Sequence, residues 1–224
     1  MTNDDDYIKA CNKCGALGAV IVLTSGNTFG STQWTDGRMF ARMLPLIPPY
    51  GKCPAFNAVL YLPDLETVDR QPSTWYNEDI RRKAKNFNSI PLFAELDERE
   101  WLEFASGYSR RDSQTKELRL LTWWASNDRY RIGNVYSKSP CYGPSSEEDI
   151  ESMRIENLNK LKDIIFDEYQ NNLLMLAEIN RELGDFDATL KLLSEPLDGP
   201  LNQASTIIRD AASSLDPAVK QIVW

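Results

Sequence analysis

Residues 171–196 read NNLLMLAEINRELGDFDATLKLLSEP. Leu173, Leu176, Ala177 and Leu183 recur at helical spacing, and Ile179 widens the stripe. Gly184 stands where a left-handed residue ends a helix. Asp185 is placed to cap the next one, with Phe186, Leu190 and Leu193 on one face. The stretch therefore predicts two helices joined by a tight turn. A lone hairpin cannot bury its apolar face, so further helices must pack against it.

Composition supports such a body. The chain has 224 residues, 42% of them hydrophobic and 10% aromatic, which suffices for a real core. The start, MTNDDDY, is acidic and lacks the basic opening of a secretory leader. The apolar runs at 19–23 and 173–177 are too short to span a bilayer. These features predict a cytoplasmic protein with no membrane association.

The net charge of −8 divides as +1 over residues 1–62, 0 over 63–140 and −9 over 141–224. An acidic helical third repels phosphate backbones, which argues against nucleic acid as a partner there. It suits a basic protein surface, or simply a solvated helix face. The chain has no histidine. That excludes Ser-His-Asp and Cys-His nucleophile systems, histidine metal ligands and histidine general bases. Acid–base chemistry would fall to carboxylates, Lys, Tyr or Cys.

Near the N-terminus, Cys11-Asn-Lys-Cys14-Gly15 has the spacing of a metal knuckle. Two thiolates at C-x2-C can hold one ion, and Gly15 allows the turn. Residues 16–24 and 58–62 read as strands, with Cys53-Pro54 just before the second. Paired strands with a knuckle before each is the plan of a zinc ribbon. The second knuckle has Phe56 where a cysteine would complete it. Zinc is the candidate cofactor, with Cys11, Cys14, Cys53 and the distant Cys141 as its ligands. The lost ligand tilts the sequence reading toward a metal-free ribbon, in which Phe56 would fill the vacated site. The loop Ser25–Gly30, SGNTFG, could cradle an anion, but it lacks the lysine of a phosphate-binding loop and reads better as a demanding turn.

Two resemblances accompany these residues. Leu176-Ala177, Gly184-Asp185-Phe186, Thr189 and Leu193 are similar to one tetratricopeptide repeat, and residues 201–215 to a degenerate second. Thr189 stands where that family has Ala, and Asn180 where it prefers an aromatic. The resemblance implies a protein-binding surface. More widely, the chain resembles a group of uncharacterised bacterial proteins. It does so through Cys11, Cys14-Gly15, Ser25–Gly30, Trp34-Thr35-Asp36-Gly37, Met43-Leu44-Pro45 and Cys53-Pro54. Arg119, Trp123-Trp124 and Asn127-Asp128 extend the match. The group's architecture implies an N-terminal zinc-ribbon-like segment and a C-terminal tetratricopeptide-like hairpin, and no particular chemistry.

Between these ends, residues 63–74 read as a connector and 77–86 as a basic helix. Asp97 with Glu100 begins a helix through Gly107. Another follows to about Asn127, apolar on most sides and so buried, with Trp123 and Trp124 in its core. Residues 133–144 read as a loop. Ser145 with Glu148 starts the next helix, residues 202–214 form another, and Asp216-Pro217 opens a short last one.

The predicted fold is α+β, mainly α. A small β unit over 1–66, a degenerate zinc ribbon, packs on a helical body over 67–224 with the hairpin at 167–196. The predicted function is a non-enzymatic cytoplasmic interaction protein that binds an unidentified, basic protein partner through the helical body. The alternatives are a carboxylate-dependent enzyme using the Trp123-Trp124 face or the Ser25–Gly30 loop, and nucleic-acid binding by the ribbon.

Overall fold

The computed structural model describes residues 2–73, 90–108, 113–131, 147–165 and 169–223. The basic helix expected at 77–86, the loop around Cys141 and Ser145 of the expected capping box lie outside them. The fold is α+β and mainly α, as the sequence predicts. The chain forms two compact units, residues 1–31 with 40–96, and residues 32–39 with 97–224. No described helix is long and apolar enough to cross a membrane.

The first unit is built of short strands. These are β1 (Thr2–Asn3), β2 (Asp6–Ala10), β3 (Leu17–Val20), β4 (Leu23–Ser25), β7 (Tyr50–Lys52), β8 (Val59–Tyr61) and β9 (Thr67–Gln71). β1 pairs with β4, and β2 lies between β3 and β9, all antiparallel. β7 pairs with β8 in a second hairpin. Thr67–Gln71, expected as connector, is thus a strand. Thr67 through Arg70 are exposed and its one buried residue is the polar Gln71, so no apolar alternation marks it in sequence.

The segment 91–94 ties the two hairpins together. The amide of Ala19 donates to the Pro91 carbonyl, and the amide of Lys52 to the Ala94 carbonyl. Phe93 lies against Gly18 of one hairpin and Gly51 of the other, where an added Cβ would come within 2.6 and 2.8 Å of it. The two glycines make room for one ring, and the core of the unit gathers round it: Cys11, Cys53, Leu60, Leu62 and Leu65.

The second unit holds β5 (Thr32–Trp34) and six described helices: α1 (Glu98–Gly107), α2 (Ser113–Asn127), α3 (Glu147–Lys162), α4 (Gln170–Glu182), α5 (Phe186–Leu192) and α6 (Pro200–Ser213). Asp97 and Glu100 form the expected reciprocal cap on α1. The hairpin is α4 with α5; Asp185 accepts from the Ala188 amide at 3.1 Å to cap α5. One apolar cluster joins α4, α5 and α6 through Leu174, Ala177, Leu193, Ala204 and Ile208. Another joins α2, α3 and α4 through Trp123, Leu158, Leu161 and Ile179.

The expected C-terminal helix does not form. Residues Gln221–Ile222 make a strand, β10, in a sheet ordered β10-β5-β6, where β6 is Met39–Phe40. Asp216 does accept an amide, from Ala218 at 2.8 Å, but the chain leaves as a turn. Ile222 is buried in the cluster under α4 and α6, and pairing with Gln33 satisfies its backbone.

Candidate metal centre

The two hairpins of the first unit turn in the same way. In the first, the Cys11 amide donates to the Ala16 carbonyl and the Gly15 amide to the Cys11 carbonyl, both at 2.8 Å. In the second, Cys53 donates to Ala58 and Asn57 to Cys53, both at 2.9 Å. The residue after each turn is left-handed: Gly15 has φ 74° and Asn57 φ 57°. Glycine and asparagine are the residues that tolerate this. The knuckles are therefore equivalent residue by residue. Cys11 matches Cys53, and Cys14 matches Phe56.

This arrangement corrects the expected ribbon in one respect. The strands 16–24 and 58–62 do not pair with each other. Each knuckle sits inside its own hairpin, between β2 and β3 or between β7 and β8. Residues 16–24 also break into β3 and β4. Strands β2 and β7 were not legible as strands, because Asp6, Lys9, Gly51 and Lys52 interrupt them.

The turns bring three sulfurs together. The Sγ atoms of Cys11, Cys14 and Cys53 all lie within 4.8 Å of one another, and those of Cys14 and Cys53 are 3.6 Å apart. A tetrahedral zinc bound at about 2.3 Å holds its sulfurs roughly 3.8 Å apart. The cluster fits that ion. Cys11 and Cys53 are buried and Cys14 is exposed. Burial pushes the Cys11 thiol up, but the Lys13 and Cys14 amides and the other two thiols bring it below its ordinary value. The Ala16 amide pulls Cys14 down, yet desolvation and the neighbouring sulfurs leave it raised. The amides aimed at Cys11 would stabilise a metal-bound thiolate in the same way.

Of the expected ligands, the structure unites Cys11, Cys14 and Cys53, and Cys141 lies outside the described residues. Phe56 does not fill the site. It is 45% exposed and is absent from the core that surrounds Cys11 and Cys53. The Ser25–Gly30 loop carries Phe29 outward at 86% exposure, and an added Cβ on Gly26 would meet the Met43 carbonyl at 2.2 Å. That close approach is the demand for glycine expected of a turn.

The second unit contains a different concentration of chemistry, and the sequence reading missed most of it. Asp36, in the turn after β5, is fully buried. Its carboxylate accepts from the Arg131 guanidinium, from Asn127 Nδ2 at 3.0 Å and from the Arg38 amide at 3.0 Å. Its carbonyl accepts from Trp124 Nε1 at 2.9 Å. Glu182 on α4 accepts from Asn127 Nδ2 at 2.8 Å, Trp123 Nε1 at 2.9 Å and Arg154 Nη2 at 2.6 Å. Glu178 accepts from Arg181 Nε at 2.9 Å and from the Thr35 hydroxyl. Arg181 reaches on to the carbonyls of Asp216 and Ala218. Trp34-Thr35-Asp36 and Trp123-Trp124 with Asn127-Asp128, two separate motifs in sequence, thus converge on one buried network.

Burial is the largest influence on Glu182 and pushes its carboxyl up to about 8. The charge of Glu178 adds to the rise, while Arg154 opposes it. Glu178 is likewise raised by burial against the pull of Arg181. These are perturbed carboxylates of the kind found in active sites. Here, however, the side chains of Asp36, Glu178, Glu182, Arg131 and Arg181 are all 0% exposed. Both oxygens of Glu182 are taken by donors, so no substrate reaches them. The arrangement suits structure.

No signal in the sequence separates this network from a solvated face. Glu178, Arg181 and Glu182 sit at helical spacing on α4, as surface ion pairs do. Thr35 beside Asp36, the α2 and α3 side chains Trp123, Asn127 and Arg154, and the carbonyls of Asp216 and Ala218 make them internal. The chain matches no protein-family model, no curated protein and no solved structure.

Proposed function

We propose that the protein is a non-enzymatic interaction protein. Its first unit is held by a zinc ion on Cys11, Cys14 and Cys53, and its helical body binds a basic protein partner. The observation that carries the reading is where the charges go. The buried network withdraws Arg154 and Arg181 together with Glu182 and Glu178, two charges of each sign, so it seals the perturbed carboxylates inside and does not consume the acidic excess of residues 141–224. The outside is left acidic, with Glu147, Glu148, Asp149, Asp185, Asp187 and Asp198 exposed. The hairpin itself offers little surface on one helix, because Ala177 through Glu182 are all buried. A partner is met on the α3 start or around α5 instead.

Capture from native lysate with the full chain tests this, read against salt and charge. The expected result is a partner retained at low salt, released as salt rises, and lost from a variant carrying Asp187→Lys and Glu195→Lys, both exposed positions. Retention that ignores both changes would sink the acidic-face reading. Metal analysis of protein purified without chelator tests the zinc. About one ion per chain is expected by the tetrahedral-site stoichiometry, and it should be absent from Cys53→Ser.

A further inference from the structure

Resting on the zinc reading above, a further step concerns the ion's fourth position. The two knuckles share their hydrogen bonds and their left-handed closing residue, so Phe56 stands where a fourth cysteine would stand. Its ring is not turned into the cluster but half exposed. Among the described residues no carboxylate joins the three sulfurs. The floor of the cluster is apolar, formed by Leu60, Leu62, Leu65 and Phe93 around Cys11 and Cys53. The rim that bears Cys14 and Phe56 faces solvent.

We infer that the ion keeps its fourth position open to the outside and takes there a thiolate that does not belong to this chain. Zinc sites with three protein ligands hold an exchangeable group in the fourth place. Three thiolates already donate strongly to the ion, so a soft sulfur is a better fourth donor than a carboxylate. Neither knuckle contains an acidic residue, and Lys13 lies within the first. On binding, the incoming thiol gives its proton to solvent, its sulfur forms the fourth bond to the metal, and a water leaves. No electron is transferred. The thiol comes from a small molecule such as glutathione or from a cysteine on another chain, and mass distinguishes the two.

The test loads the full chain with cobalt(II) in place of zinc and reads sulfur-to-metal charge-transfer absorption, which counts thiolates. Glutathione is then titrated into the wild type, Cys141→Ser and Phe56→Cys, and native mass is recorded. Wild type and Cys141→Ser are expected to show three thiolates. Absorption should then rise in the ratio of four to three on adding glutathione, at the mass of one chain, one metal and one glutathione. A fourth thiolate present without glutathione, in a dimer sharing one metal, supports an outside thiolate supplied by a second copy. Phe56→Cys should show four thiolates at once and ignore glutathione. A monomeric wild type with four thiolates that drop to three in Cys141→Ser would overturn the inference, because Cys141 then closes the site. Three thiolates unmoved by glutathione would overturn it too. Cobalt bound by Phe56→Cys alone would overturn the zinc reading of the natural chain, and cobalt bound by neither would overturn the metal site altogether.

Discussion

The cluster around Phe93 in residues 1–31 and 40–96 is sulfur and hydrocarbon, two cysteines and three leucines about one ring, and the charged side chains buried in that unit are Asp6 and Lys9 of β2. The core of residues 32–39 and 97–224 holds apolar clusters too, yet Arg131, Arg181 and Glu178 are among its most deeply buried side chains. The first unit has strands of two to five residues and little area to bury. Small units of that kind need a staple, and a metal on three cysteines is one. The second has helices enough for a core of its own, and it then spends part of that core on charge. Buried ions lose hydration that their attraction only offsets when the geometry is complete. On the metal centre proposed above, one unit's stability would depend on a ligand, and the other's on every pair being present.

The largest expected effect breaks a pair. Glu182→Ala leaves Trp123 Nε1 and Arg154 Nη2 without their acceptor in a sealed site, while Asn127 Nδ2 keeps Asp36 and Arg154 Nη1 keeps Glu151. Removing one partner of a buried ion pair costs about 3–5 kcal/mol. Denaturant unfolding at pH 9, where Glu182 is ionised, followed by helical circular dichroism should show that loss. A change under roughly 1 kcal/mol, the range of exposed pairs, would mean that the network is wetter than the structure shows.

Metal should act on the other unit alone. Free zinc at 100 times its dissociation constant stabilises a binding unit by about 2.7 kcal/mol. Chelation should accordingly lower the unfolding transition of the strand unit, read by hydrogen exchange at Ala19 and Lys52. Exchange in α4 should stay as it was. Equal loosening of both would erase the contrast, and no loosening anywhere would remove the staple.

Acidity separates them again. Glu182 titrates near 8 when folded, against 4.5 for the unperturbed group. Between those values the folded chain holds a proton that the unfolded chain has released. The contribution is full below 4.5 and is lost as pH rises through 8. The helical unit should be less stable at pH 9 than at pH 6, and Glu182→Gln should flatten that slope. A helical unit that gains stability toward pH 9 would contradict the assignment.

The sequence made different amounts of each unit legible. The hairpin, the α1 cap and the knuckle spacing were readable because they are local: a glycine, an aspartate and a pair of cysteines each act within a few residues. The buried Trp123 was readable because α2 is apolar on most sides. The strands β2, β7 and β9 were hidden because pairing across distant segments, and no alternation of their own, makes them strands. The buried charge was hidden for a related reason. A helix face bearing Glu178, Arg181 and Glu182 looks the same whether water or Thr35 covers it. The equivalence of the knuckles was half visible, in Cys53-Pro54, and the left-handed Asn57 is what completes it.

The smallest expected effects compare two helix ends that share one geometry. After α4, the Gly184 amide donates to the Arg181 carbonyl at 3.0 Å and the Asp185 amide to the Asn180 carbonyl at 2.8 Å. After α6, the Leu215 amide donates to Ala212 at 3.0 Å and the Asp216 amide to Ala211 at 2.9 Å. Both are the paired closure that requires a left-handed residue, and φ is 82° at Gly184 and 54° at Leu215. Nothing lies within 4 Å of a Cβ added to Gly184, so Gly184→Ala meets backbone strain and no clash. It should cost on the order of 1 kcal/mol. Leucine already carries that strain at 215, and its side chain is 68% exposed, so little packing offsets it. Leu215→Gly should therefore raise stability, by about 0.5–1 kcal/mol, the left-handed penalty less the added freedom of the unfolded chain. Opposite signs at the two ends, read by thermal unfolding of the helical unit, are the expected result. A loss at both positions would mean that Leu215 makes a contact worth more than its strain, and the acidic face around α5 and α6 would then be the place to look for its partner.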